Sequence, residues 1–287
     1  MTDAEAGITH GEAAVNGVRL HYAQAGQGPL VLLLHGFPEF WYAWRHLLPA
    51  LADAGFHAVA PDLRGYNLSD KPRAVSDYRV EHTGADVAAL AAHLSDRPAA
   101  VVGHDWGGIV AWYAAAWHPE RFRCLAAINA PHPRAMNREL KTADQRLRSW
   151  YAAFFQLPWL PEAVLRAGNF KLLERALRRE PVRRDAYTDE DVRCYKEAWS
   201  QPGALTAMLS WYRALRPSGM PRIPDIHLPT LLVWGERDPH LRPQLTEGLD
   251  AWVPGIRVER LPDASHWVPA EFPERVARLL ADFIRSH

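Results

Sequence analysis

Three residues far apart in the chain, Asp105, Asp238 and His266, have the types needed for nucleophilic catalysis by a carboxylate. Asp105 lies in Gly103-His104-Asp105-Trp106-Gly107-Gly108, behind the apolar run Ala99 to Val102 and ahead of an Ala-rich segment from Ile109 to His118. Strand, sharp turn and helix in that order force the central residue into strained backbone angles, and the flanking glycines Gly103 and Gly107 leave room for it. Such a turn holds one side chain above the carboxyl edge of a sheet. An aspartate there is ionised near neutral pH and is a weak nucleophile, suited to an alkyl carbon bearing a leaving group. Attack leaves an alkyl ester on the protein, which water must then hydrolyse at its carbonyl. Taken alone, Asp105 also fits a plain helix N-cap.

Asp238 closes Trp234-Gly235-Glu236-Arg237-Asp238 after the apolar run that begins at Leu228, and His266 closes Pro262-Asp263-Ala264-Ser265-His266 after Arg257 to Leu261. If the preceding runs are strands of one parallel sheet, all three residues gather at its carboxyl edge, where open α/β sheets bind ligands. His266 is then the base that activates water, while Asp238 fixes its tautomer and stabilises the imidazolium. Ester hydrolysis also needs an oxyanion hole. The backbone N–H groups of Trp106 and of Phe37, in His35-Gly36-Phe37-Pro38-Glu39, are the expected donors. His35 and Gly36 shape that loop. Glu39 fits either a role in positioning water near His266 or a structural ion pair.

These residues need a scaffold, and the hydrophobic pattern supplies one. Val18 to Tyr22 alternates like a strand, while Leu30 to Leu34, His57 to Pro61 and Leu125 to Ile128 read as buried strands. Trp41, Trp44, Leu48 and Leu51 follow helical spacing, as do Val87, Leu90 and Leu94, and later Val276, Leu279, Leu280 and Phe283. The alternation predicts a mostly parallel central sheet with helices on both faces. It breaks at Pro131-His132-Pro133 and resumes at Leu228, and the segment between is rich in Arg, Trp and Tyr. The expected organisation is a core over residues 1–132, an inserted helical cap over 133–219 and the rest of the core over 220–287. Arg178, Arg179, Arg183 and Arg184, interleaved with Glu174, Glu180 and Asp185, read as a solvated helix face.

Composition narrows the function classes. The 287 residues are 48% hydrophobic and 23% charged with zero formal net charge, which gives no footprint for nucleic acid. Cys124 and Cys194 make neither a disulfide framework nor a metal-ligand spacing, so no metal is expected. Met1 to Gly17 lacks the apolar stretch of a signal peptide, and no run is long enough to cross a bilayer. A cytoplasmic enzyme without a membrane or nucleic-acid partner is the expectation.

The four motifs around Phe37, Asp105, Asp238 and His266 together resemble those of the α/β-hydrolase-fold epoxide hydrolases. The similarity spans nearly the whole chain, including the lid segments Ser149-Trp150-Tyr151, Phe155 to Glu162 and Trp211-Tyr212-Arg213. The resemblance implies an α/β-hydrolase fold with an inserted helical cap, and conversion of an apolar epoxide and water to a vicinal diol through an ester on Asp105. It implies no metal or organic cofactor. Two lid tyrosines of that family donate hydrogen bonds to the epoxide oxygen, and the matching positions are Tyr151 and Tyr212. The chemistry asks for such donors, because ring opening develops an alkoxide. Tyr113 and Tyr195 are expected only to pack. Phe37, Trp106, Trp150, Phe154 and Trp267 are expected to line an apolar substrate pocket for aryl or alkyl epoxides. Haloalkane dehalogenases share the aspartate and the following tryptophan, but usually place Asn or Glu where Phe37 stands. Fluoroacetate dehalogenases carry arginines where this chain has Trp106 and Ile109. A silent ligand-binding protein of the same fold is the remaining alternative, yet no member of the triad is missing.

Overall fold

The computed structural model describes residues 6–215 and 219–287. Eight strands form one sheet: β1 (Thr9–Val15), β2 (Val18–Ala25), β3 (Leu30–Leu34), β4 (His57–Pro61), β5 (Ala99–His104), β6 (Phe122–Ile128), β7 (Thr230–Gly235) and β8 (Arg257–Leu261). Their spatial order is β1-β2-β4-β3-β5-β6-β7-β8, antiparallel from β1 to β4 and parallel from there to β8. Every residue of β3, β5 and β7 is buried, as continuous apolar runs covered on both faces require.

The helices α1 (Leu47–Asp53), α2 (Val80–Leu94) and α3 (Trp106–Trp117) fall between strands of the first half. Six more lie between β6 and β7: α4 (Pro133–Glu139), α5 (Ala143–Arg148), α6 (Trp150–Phe154), α7 (Leu160–Arg179), α8 (Asp189–Ser200) and α9 (Ala204–Arg213). The short α10 (Val268–Glu271) and the long α11 (Pro273–Arg285) end the chain. The pairs α2/α3 and α1/α11 pack together beside the sheet. Residues 216–218, inside the segment expected as a cap, lie outside the described residues, as do residues 1–5. Among the described residues no helix is long and apolar enough to cross a membrane.

Two local features depart from the expectations. β1 falls in the polar stretch Met1 to Gly17, where no strand was expected, yet Asn16 and Gly17 both have positive φ (47° and 76°) and join Val15 to Val18 in a two-residue hairpin. Asn-Gly is the pair such a turn favours. The aromatic run Trp41–Trp44 forms a separate 3-10 turn ahead of α1 rather than one continuous helix. Pro49 in the first turn of α1 has no N–H to give to the carbonyl of Arg45, so the helix cannot extend backwards through it.

The helices between β6 and β7 are fixed to the carboxyl edge by hydrogen bonds to backbone. The Trp199 indole N–H donates to the Pro38 carbonyl at 2.6 Å, and that of Trp211 to Arg64 at 3.0 Å. From the core side, Glu271 accepts the N–H groups of Val182 and Arg183 on one oxygen and the Ser265 N–H and hydroxyl on the other. α8 starts with a capping box, Thr188 and Asp191 each bonding the other's backbone N–H.

The turn between β5 and α3 leaves no room for a side chain at its glycines. A Cβ on Gly107 would stand 2.1 Å from the Leu34 carbonyl oxygen, and one on Gly103 2.3 Å from that of Gly107. By contrast, Gly84 in α2 has 3.6 Å of clearance to its nearest neighbour. Gly107→Ala is therefore expected to lower unfolding free energy by about 2–3 kcal/mol through overpacking. Gly84→Ala is expected to raise it by about 0.5–1 kcal/mol. Urea midpoints of the two variants check this; equal midpoints would contradict it.

Candidate active site

Asp105 follows β5 at φ 51° and ψ −122° and occupies the N-cap position of α3, but its side chain makes no capping hydrogen bond. Its backbone N–H donates to the Ile128 carbonyl at 3.2 Å, and the turn leaves the carboxylate pointing away from the helix. Oδ1 accepts the Phe37 N–H at 2.8 Å. Oδ2 stands 3.5 Å from His266 Nε2. The N–H of Trp106 opens α3 and so belongs to the helix-start donors that no carbonyl within the helix can satisfy.

His266 Nδ1 lies 2.6 Å from Asp238 Oδ2, which fixes the ring with Nε2 facing Asp105. Asp238 is itself held on both oxygens. Oδ1 accepts the N–H groups of His240 and Leu241 at 2.7 and 2.9 Å, and Oδ2 also accepts the Asn129 amide at 2.7 Å. Asn129 follows β6 with a φ of 41°, and its side-chain Oδ1 accepts the Gly235 N–H at 2.8 Å.

The charges are coupled. Burial opposes ionisation of Asp238, yet the His266 imidazolium and its hydrogen bond hold the carboxyl down to about 2. Burial likewise opposes ionisation of Asp105, and the hydrogen bond and charge of His266 outweigh it, placing Asp105 below the usual carboxylate range. On His266, burial works against the charge, while Asp238 and then Asp105 raise its pKa well above that of free imidazole.

Beneath this group lies a second buried pair. His104 Nδ1 is 2.9 Å from Glu39 Oε2, and His104 Nε2 is 2.8 Å from the His266 carbonyl. The other Glu39 oxygen accepts the hydroxyls of Tyr187 and Tyr195. Glu39 is thus held by His104 and the two tyrosines. Tyr195 does more than pack, because it bonds that carboxylate at 3.3 Å, whereas Tyr113 donates to the Pro221 carbonyl. His35 accepts the Leu63 N–H on Nε2 and donates from Nδ1 to the Gly36 carbonyl, setting the turn that presents Phe37.

A cavity of about 350 Å³ opens over Asp105 and His266. Phe37, Trp150, Phe154 and Trp267 stand in its wall together with Tyr151 and Tyr212. The two tyrosine rings meet edge to face at 6.0 Å, and both hydroxyls have pKa values pushed up, first by burial and then by neighbouring acidic groups that include Asp105. Trp106 does not line this wall but packs edge-on against Tyr212 at 5.1 Å. Arg179, taken from sequence as part of a solvated face, borders the cavity with Arg175 and Glu180. Asn129, His104, Glu180 and His240 were not foreseen. Asn129 shares one signal with the others, a polar residue directly after a buried strand; Glu180 and His240 carry none, because they meet only through the packing of α7 over the loop after β7.

Residues 29–273 match the alpha/beta hydrolase fold family. The chain is 44% identical over 94% of its length to the AB hydrolase superfamily protein YfhM of Bacillus subtilis, of which it covers 96%. It is 35% identical to human epoxide hydrolase 4, over 94% of this chain and 77% of that one. The crystal structure of Bacillus megaterium epoxide hydrolase with an inhibitor superposes with a TM-score of 0.90 at 35% identity, covering 96% of this chain and all of that one. With the matched family spanning most of the sequence and relatives of this identity aligned nearly end to end, the chain belongs to the α/β-hydrolase-fold epoxide hydrolase family.

Proposed function

We propose that this protein hydrolyses an apolar epoxide to a vicinal diol through a covalent ester on Asp105, with α4–α9 serving as a cap that closes the cavity over the substrate. The observation that carries the reading is the unequal setting of the two Asp105 oxygens. Oδ1 is held by the Phe37 N–H at 2.8 Å, while Oδ2 faces the cavity beside His266. Oδ2 is the nucleophile. Oδ1 becomes the ester carbonyl oxygen, already seated where the N–H groups of Phe37 and Trp106 can stabilise an oxyanion.

As Oδ2 bonds to carbon, the epoxide C–O bond breaks and its oxygen takes up charge. Tyr151 and Tyr212, kept as phenols by burial, donate to that oxygen and protonate it. Esterification also removes the negative charge of Asp105, one of the two carboxylates that hold the proton on His266. The proton that His266 releases restores the tyrosine pair and leaves a neutral imidazole. Water then gives its proton to His266 Nε2 and attacks the ester carbonyl carbon, while Asp238 steadies the returning imidazolium. Collapse breaks the Cγ–Oδ2 bond, the departing alkoxide takes a proton from the His266 imidazolium, and the diol leaves with Oδ2. The second proton of the added water passes from the Asp105 carboxyl back to His266, which restores the carboxylate and the imidazolium. A departing halide would use neither the tyrosine pair nor a proton, and Phe37 offers it no side-chain donor.

Three variants separate the halves of the reaction. His266→Gln leaves the attack intact and removes the base, so protein mixed with a styrene-type epoxide should gain one substrate mass on the peptide containing Asp105, without sustained turnover. An unmodified, fully active variant would contradict the assignment. Tyr151→Phe and Tyr212→Phe remove donors needed only during ring opening. Each is expected to slow ester formation about 100-fold in rapid-mixing experiments while leaving ester breakdown unchanged. Equal slowing of both stages would remove the tyrosines from this role.

A further inference from the structure

The cavity wall holds one carboxylate for which the reaction has no use. Glu180, at the end of α7, directs Oε2 at His240 Nε2 (3.0 Å) and at the Trp267 indole N–H (3.1 Å). His240 in turn meets the rings of His266 and Tyr151 edge to face, each at 5.5 Å, so the Glu180 pair stands beside the reacting groups. Nearby buried carboxylates engage both oxygens. Asp238 does so with His266, Asn129 and two backbone N–H groups, Glu39 with His104 and two tyrosines, and Glu271 with four donors. Among the described residues, Glu180 Oε1 and His240 Nδ1 have no protein partner, although both residues line the cavity and each side chain keeps 27% of its exposure.

An anionic oxygen left open in a largely apolar wall carries a desolvation cost that an apolar residue would avoid. It stays ionised: burial pushes the carboxyl up, but the hydrogen bond and charge of His240 bring it below its ordinary value. We propose that Glu180, oriented by His240 and Trp267, is a recognition site for a hydrogen-bond donor, a hydroxyl or ammonium group, borne by the substrate away from its reacting carbons. The proposal rests on the reading of this cavity as the substrate site. Arg175 and Arg179 also border the cavity but are exposed, where solvent and salt screen them. They would favour an anionic substituent, so the sign of the preference decides between them and Glu180.

Unreactive ligands with one carbon skeleton isolate that sign from turnover. Binding of phenylbutylamine, phenylbutanol and phenylbutyrate is read from the fluorescence of Trp150 and Trp267 at about pH 8.5, above the ordinary imidazole range. The unaltered protein should bind the amine at least about tenfold more tightly than the acid, with the alcohol between them. Glu180→Gln, which keeps the shape, should bring the amine and the acid within about threefold, and Glu180→Asp should retain a preference of the original sign. No preference in the unaltered protein, a preference for the acid, or a preference surviving in Glu180→Gln overturns the proposal. Turnover of a styrene-type epoxide on the same preparations tests the parent reading separately: discrimination without turnover defeats the epoxide assignment alone, and turnover without discrimination defeats this one alone.

Discussion

The structure depends on holding one carboxylate in a place where the backbone resists it. Asp105 sits at positive φ between a strand and a helix, a conformation that costs about 1–3 kcal/mol for a residue with a side chain. What maintains it is close packing of backbone: Gly103 and Gly107 let β5, α3 and the end of β3 approach to distances that no Cβ permits. The same approach brings the Phe37 loop within hydrogen-bond reach of Oδ1. Strain, glycines and the Phe37 donor are therefore one arrangement.

Around that point the charges form a graded set. Asp238 is pinned by four donors and stays anionic, so it serves as a fixed counter-charge for His266. Asp105 has one oxygen tied and one facing the cavity, and under the proposed mechanism it is the member that would lose its charge. The Glu39–His104 pair supports the His266 main chain from below and joins it, through Tyr187 and Tyr195, to the helices above. The main chain at His266, the segment carrying Tyr187 and α8 thus share one buried polar framework, in which Glu39 is bonded on both oxygens as low-dielectric networks must be to persist.

Much of this was legible in sequence because it follows from local patterns. Buried strands read as apolar runs, and a polar residue just past each run lands on one edge; Asp105 and Asp238 obey that rule, while His266 follows β8, an edge strand of mixed polar and apolar residues that is only partly buried. The hairpin before β2 was also written locally, in Asn16-Gly17, but the polar surroundings hid it. Glu180 and His240 could not be read in this way. They lie 60 positions apart, one at the end of a cap helix and one in a core loop, and only tertiary packing gives them a common wall. Trp106 marks a similar limit: its place beside Asp105 in sequence puts its backbone N–H at the site, while its indole turns behind Tyr212.

The central claim is that carbon bonds to Asp105 before water enters, and the fate of water's oxygen tests it most directly. A single turnover in heavy-oxygen water, with protein in excess over epoxide, should place the label in the Asp105 carboxylate and leave the first diol unlabelled. Label appearing in that diol with none in the protein would mean that water attacked the epoxide itself, and the account would be wrong.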